Sequence, residues 1–245
     1  MSPPVRISEI GLYLRCPRLV YFQNLGSIAA PEDAARMLLR ALMFSLSSSP
    51  SSQLSASDLK GLLEENLGQL EQEMPVIYEI DSALVESACR DLEPEIESIS
   101  QGLAGSLNLL LPCEVEIDLR SEKLGLSGRL DRLAQGGVPS IIRTGRAPEA
   151  GGWKKDRIML SGYALPLGGK EKRHSPFGLV EYARQGLIRR VEIHGTDRAR
   201  VLRIRDRIRL IKQGRLPDRP DDAPCKGCQA EEICRTRHSL ASKFF

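Results

Sequence analysis

The chain reads as a mixed α/β protein, and three observations predict it. Apolar residues recur at helical spacing through residues 7–103. Apolar–polar alternation replaces that pattern at Pro112, and residues 177–182 and 187–194 read as two more strands. The strands so predicted follow one another through short turns, which makes an antiparallel meander and not a βαβ repeat.

The elements follow in order. Ile10, Tyr13 and Leu14 share a helical face behind Ser8, a residue that suits an N-cap. Cys16-Pro17 interrupts this helix, because the residue before proline is driven out of the α region, and a second turn runs through Arg18 and Tyr21. A helix over 32–46 carries Met37, Leu38, Leu39 and Leu42. Residues 45–57 are serine-rich, contain Pro50 and predict a linker. Ser57 then caps a helix with Leu59, Leu62, Leu63, Leu67 and Leu70 on its face. Another covers 82–103, with Leu84, Ala88, Leu92, Ile96, Ile99 and Leu103 inward and Pro94 kinking or dividing it.

Alternation predicts strands over 113–120, 124–133 and 140–144. A basic loop with the only tryptophan follows: Arg146, Trp153, Lys154 and Lys155. A helix around Tyr163 leads to strands over 177–182 and 187–194. The helix over 197–213 buries Val201, Ile204, Ile208 and Ile211 and is arginine-rich elsewhere. Its cations suit either a phosphate backbone or a solvated face balanced by Asp197 and Asp206. No glycine-rich phosphate loop is present, and His174, His194 and His238 are scattered and take no role.

At 245 residues the chain can bury a substantial core, and its net charge of +3 leaves the distribution of charge to be read instead of the total. No apolar run is long enough for a bilayer and Met1–Arg6 has no apolar signal core, which predicts a cytoplasmic protein without a membrane. In a reducing compartment Cys225-x2-Cys228-x5-Cys234 reads as metal ligation before disulfide. With Cys16 these make four sulfurs, which suit tetrahedral zinc or an iron–sulfur cluster and would clamp the two ends of the chain together. Cys89 and Cys113 each sit alone in an apolar-periodic segment and read as buried free thiols.

Several motifs coincide: Cys16-Pro-Arg in an N-terminal helix, Gly128-Arg-Leu-Asp131 on a meander strand, and Arg143-Thr-Gly145 one hairpin later. A helix around Tyr163, a strand pair, Gly214-Arg-Leu-Pro217 and the cysteine-rich end complete the set. Over nearly the whole chain this resembles the RecB-like PD-(D/E)XK nucleases with an iron–sulfur cluster. It looks most like the CRISPR-associated exonuclease family that trims DNA for spacer acquisition, the fourth of the numbered Cas proteins.

The resemblance implies a restriction-endonuclease-like mixed sheet flanked by helices. It implies a helical part over 1–111 that supplies Cys16, a nuclease-fold core over 112–214 and a cluster element over 215–245. It favours a 4Fe–4S cluster on Cys16, Cys225, Cys228 and Cys234. It further implies a Mn²⁺ or Mg²⁺ site in which an Asp and a Glu hold the metal and a Lys positions the nucleophile. Asp131 matches the aspartate, but the Glu-x-Lys pair reads Ile141-x-Arg143, and Met159 stands where a glutamine precedes Tyr163. No histidine occurs in the N-terminal helices. Isoleucine offers a cation no lone pair, and arginine cannot serve as a neutral base. Asp131, Arg143 and Tyr163 therefore mark a degenerate catalytic site.

Arg146, Trp153, Lys154 and Lys155 are the nucleic-acid candidates, because an aromatic ring stacks on a base while cations hold phosphates. The reading is a DNA-binding protein for single strands or ends, with cleavage lost or reduced. One alternative is an active exonuclease whose missing ligand comes from Glu114, Glu116 or Glu149, residues that read more simply as solvated charge. Another is a non-enzymatic partner of CRISPR integration or repair proteins.

Overall fold

The structure, a computed structural model, describes residues 3–28, 33–49, 53–171 and 175–235. Pro50 in the serine-rich linker, and His174 and His238, lie outside them.

Helices and strands follow in the order β1 (Val5–Arg6), α1 (Ile7–Arg15), α2 (Pro17–Asn24), α3 (Ala34–Ser45), α4 (Ala56–Tyr78), α5 (Ser82–Leu92) and α6 (Ile96–Leu103). Then come β2 (Cys113–Ser121), β3 (Leu126–Ala134), β4 (Val138–Arg143), α7 (Lys154–Glu171), β5 (Phe177–Tyr182), β6 (Leu187–Glu192) and α8 (Gly195–Lys212). The predicted meander is present as β2, β3 and β4. The predicted strand pair is β5 and β6.

One strand organises the sheet. β2 lies antiparallel along one edge of β3, from Cys113 opposite Ala134 to Ser121 opposite Leu126. The other edge of β3 is shared. β1 pairs parallel with its start at Leu126 and Ser127, and β4 pairs antiparallel with its end at Arg132 to Ala134. Residues 128–131 have no strand partner on that edge, so the sheet opens there. β5 joins β4 in parallel and β6 closes the far side, which makes a six-stranded mixed sheet.

Helices cover both faces. Residues of α3 to α6, among them Leu38, Leu42, Leu59, Leu63 and Ile99, pack with Ile142, Leu179 and Ile188 of the sheet. Residues of α1, α7 and α8, among them Ile7, Ile10, Leu160, Val201 and Ile204, pack with Leu130, Ile141 and Val180. Ile141 and Ile142 thus serve opposite cores, as alternation requires. Each fully buried leucine contributes about 1.5–3 kcal/mol.

Several boundaries differ from the sequence expectation. Ser8 lies inside α1, whose N-cap is Arg6; the Arg6 N–H donates to Glu9 Oε2 at 2.7 Å. Ser55, not Ser57, caps α4, because Asp58 is placed to complete a capping box with it. Leu84 is 58% exposed, since α5 turns Val85, Ala88, Cys89 and Leu92 inward. β1 was not anticipated. Cys16 is extended between α1 and α2 with Pro17 at the first position of α2, and Pro94 sits in a short 3-10 turn dividing α5 from α6, both as expected. No helix among the described residues is long and apolar enough to cross a membrane.

Candidate nucleic-acid groove and four-cysteine centre

Asp131 stands where the sheet opens, and both its oxygens are engaged. Oδ1 accepts from Arg40 Nη2 at 2.5 Å, and Oδ2 accepts from the Ile142 N–H at 2.7 Å. The second bond replaces the ladder hydrogen bond that diverging strands cannot make. Gly128 lets α1 and α7 come close: a Cβ there would lie 3.1 Å from Ile7 Cδ1 and 3.2 Å from Tyr163 Cε1.

Arg40 was missed in the sequence. It projects from α3, and its guanidinium lies 4.9 Å over the ring of Phe44. Burial works against its charge, but the bond to Asp131 and that residue's charge outweigh burial and raise its pKa. Ile141, at the expected glutamate position, is buried in the apolar core. Arg143 is drawn to α7 instead of Asp131: its Nε lies 2.8 Å from Oδ1 of buried Asp156, a charge contact without an aligned hydrogen bond. Asp156 Oδ2 accepts from the Tyr182 hydroxyl at 2.9 Å. Tyr163 is nearly buried, and burial first, then the charge of Asp131, pushes its phenol up to about 12, so it stays protonated.

Behind Asp131, on the α3–α6 side, Arg132 and Glu181 are both fully buried at 3.7 Å. Ser140 Oγ donates to Glu181 at 2.7 Å, and Arg132 donates to the Met43 carbonyl. Burial, countered by Arg132, raises the Glu181 pKa.

Asp131, Arg40, Arg143, Met159 and Tyr163 line a cleft of about 430 Å³. Gly11, Ile142, Arg143 and Met159 are shared with a second groove of about 790 Å³, whose walls include Arg15, Arg36, Lys155, Pro220 and Pro224. The two adjoin through these residues, and their lining carries Arg15, Arg36, Arg40, Arg143 and Lys155 together with Asp131, Asp156 and Asp222. Of the predicted nucleic-acid residues, Lys155 lines the groove, whereas Arg146, Trp153 and Lys154 are exposed beside it. The Trp153 indole N–H donates to the Arg146 carbonyl at 2.8 Å, and Arg189 fixes the loop through the Pro148 carbonyl at 2.6 Å. On α8 the arginines divide. Arg198 and Arg205 bond the carbonyls of Ser175 and Leu124, while Arg200 and Arg203 are exposed. Glu114 and Glu149 are exposed away from the cleft, and Glu116 lies on the far side of Arg40.

Cys16, Cys225, Cys228 and Cys234 all line one small cavity of about 30 Å³. It rests on a separate core of Leu19, Phe22 and Ala230. Arg18, also nearly buried, donates to Cys234 Sγ at 3.3 Å and to the Pro217 carbonyl at 3.0 Å, and Arg219 and Arg235 stand around the same cavity. Burial raises the Cys16 thiol pKa, and the charges of Cys234 and Cys228 add to this against two backbone N–H groups. Among the described residues no group of three or more His, Cys, Asp or Glu side chains is set for a single metal ion. Cys89 is buried, with its thiol pushed up to about 11 by burial; Cys113 is half-buried in β2.

No family model matches the chain. An uncharacterized protein of Archaeoglobus fulgidus is 27% identical over 245 residues, covering 98% of this chain and 99% of its own. Among solved structures, an exonuclease candidate from Eubacterium rectale matches 90% of this chain and 85% of its own, with a TM-score of 0.48 and 13% identity. The protein named SSO0001 matches 81% of this chain and 94% of its own, with a TM-score of 0.39 and 19% identity.

Proposed function

We propose that this chain is a nucleic-acid-binding protein built on a RecB-like nuclease frame, which takes single-stranded or frayed DNA ends and has lost metal-dependent cleavage or retains little of it. One observation carries the reading: a guanidinium, that of Arg40, holds the carboxylate oxygen that a divalent cation would need. The other oxygen of Asp131 is held by a backbone N–H, and Ile141 supplies no ligand. These residues do not fit a Mn²⁺ or Mg²⁺ site. The cations along the cleft and groove suit phosphates, which bind arginine and lysine without base preference.

The four cysteines fit a cluster. Four thiolates would carry negative charge into a half-buried cavity; Arg18 and Arg219 line it to offset that charge, while Arg235 is paired with Glu231 of the same lining at 2.6 Å. Zinc at about 2.3 Å from each sulfur draws four sulfurs tightly together. The four thiols line one cavity, and four sulfurs suit either tetrahedral zinc or a 4Fe–4S group, of which we propose the 4Fe–4S group. It would act as a staple between α2 and the C-terminal segment.

Fluorescence anisotropy with a labelled oligothymidine tests the binding, beside Mn²⁺ titration by calorimetry. The expected result is salt-sensitive oligothymidine binding, reduced about tenfold in the Arg36→Glu/Lys155→Glu double variant, with no Mn²⁺ uptake. Tight Mn²⁺ binding that disappears in Asp131→Ala would overturn the lost-metal reading.

A further inference from the structure

We infer that the pocket on the far side of Arg40 from Asp131 binds one unpaired nucleobase, and that its chemistry selects guanine. The inference rests on the nucleic-acid reading above and extends it to base choice. The pocket has a volume of about 500 Å³ and is built from three elements and a turn. α3 gives Arg40 and Phe44, α4 ends in it at Tyr78, β2 gives Val115 and Glu116, and the turn after α3 gives Ser47. Arg40 is the shared wall, lining both this pocket and the Asp131 cleft. A strand whose phosphate meets Arg40 from the cleft has a base within reach of the pocket.

Three observations point to a ligand. Tyr78 is 50% exposed and Val115 44% exposed, so a ring and an aliphatic surface are left open for stacking. The second observation is in the backbone. Among the described residues, the non-glycine residues with left-handed backbone are Glu79, at φ 54°, and Glu116, at φ 52°. Glu79 directly follows Tyr78, and Glu116 is itself a wall. At Glu79 this conformation is the C-terminal cap of α4, which turns the chain at Tyr78; at Glu116, inside a strand, it has no such role, and backbone of this kind tends to mark ligand sites. Glu116 opposite Asp131 is also the one step missing from the otherwise continuous β2–β3 register.

The third observation is polar capacity. Glu116 Oε1 has a 3.4 Å contact from Arg129, and Ser47 Oγ is buried without a hydrogen-bond partner. Arg40 gives one N–H to Asp131 and has others to offer. A carboxylate accepts from adjacent N–H groups, and a guanidinium donates to carbonyl or ring-nitrogen acceptors. Guanine carries N1–H and N2–H₂ donors beside its O6 and N7 acceptors and so answers both; thymine has no amino group to offer.

The test compares an oligothymidine with the same oligomer carrying one central guanine, on the full chain, and adds dGMP alone by calorimetry. Wild type is expected to bind the guanine-bearing oligomer about tenfold tighter. Glu116→Gln should erase that preference and leave oligothymidine affinity unchanged, and Tyr78→Ala should abolish dGMP binding, with both variants melting like wild type. Equal affinity for the two oligomers overturns the pocket and leaves the groove reading standing. Binding of dGMP that depends on Glu116, without oligothymidine binding, sustains the pocket and overturns the groove. Binding of neither probe overturns both. Since Tyr78 is half exposed, its replacement by alanine keeps the test valid should Glu116→Gln lower the melting temperature.

Discussion

Arg40 and Asp131 compete with a cation by simple electrostatics: the carboxylate has two oxygens, and a guanidinium and an amide already hold them. Removing Arg40 leaves a nearly buried carboxylate short of one partner. Arg40→Ala should therefore cost about 1–3 kcal/mol in urea unfolding and weaken oligothymidine binding; unchanged stability would mean the pair is not formed. Glu181 gives a pH prediction. Burial raises its folded pKa above the unfolded value, so the folded state holds the proton more tightly. Stability from that proton is fully present below the unfolded pKa and is lost as pH rises through the folded one. Glu181→Gln should flatten this fall in unfolding free energy with rising pH, and an unaltered slope would assign it elsewhere. Asp131 and the cysteines stand out in the sequence because they sit in short motifs, and the structure places them on a cleft and on one cavity. Arg40 was not, because its role depends on α3 reaching the opening between β3 and β4, a contact 91 residues away in the chain. Glu181 was hidden for the same reason: in the sequence it is one polar residue on a strand, and only the fold sets it beside Arg132.

The elements were mostly readable because periodicity and proline are local signals. Pro17 and Pro94 end helices through their own rings, so those breaks could be found without the fold. β1 could not, because two residues carry no period; Val5 and Arg6 become a strand only by pairing with Leu126 and Ser127. The cap of α4 was misplaced by two residues because several serines compete, and Asp58 decides among them by completing the box with Ser55. β3 has little room for added bulk at Gly128. A methyl group added at Gly128 meets Ile7 and Tyr163 at 3.1–3.2 Å, tighter than ordinary contact, from two helices at once. Gly128→Ala should destabilise by about 1–3 kcal/mol, measured by denaturant unfolding, and a neutral effect would show that α1 and α7 can move apart.

At the scale of the molecule, two ends of the chain meet around one cavity, with Cys16 and Arg18 from the start and Cys225, Cys228 and Cys234 from the end. The spacing of the last three was visible in the sequence; their approach to Cys16 was an expectation that only a folded chain could test. Anaerobically purified Cys16→Ser should carry little iron and melt lower than wild type, whereas full iron content would remove Cys16 from the ligand set. The segment that holds the cysteines also lends Pro220 and Pro224 to the groove, so the four-cysteine cavity and the groove share a wall. On the proposed function, the groove binds DNA beside a carboxylate that cannot take a metal. End-labelled single-stranded DNA with Mn²⁺, incubated with cluster-loaded wild type and with Asp131→Ala, tests it most directly. Bound but intact DNA is expected with both proteins. Mn²⁺-dependent cleavage by wild type that vanishes in Asp131→Ala would contradict it.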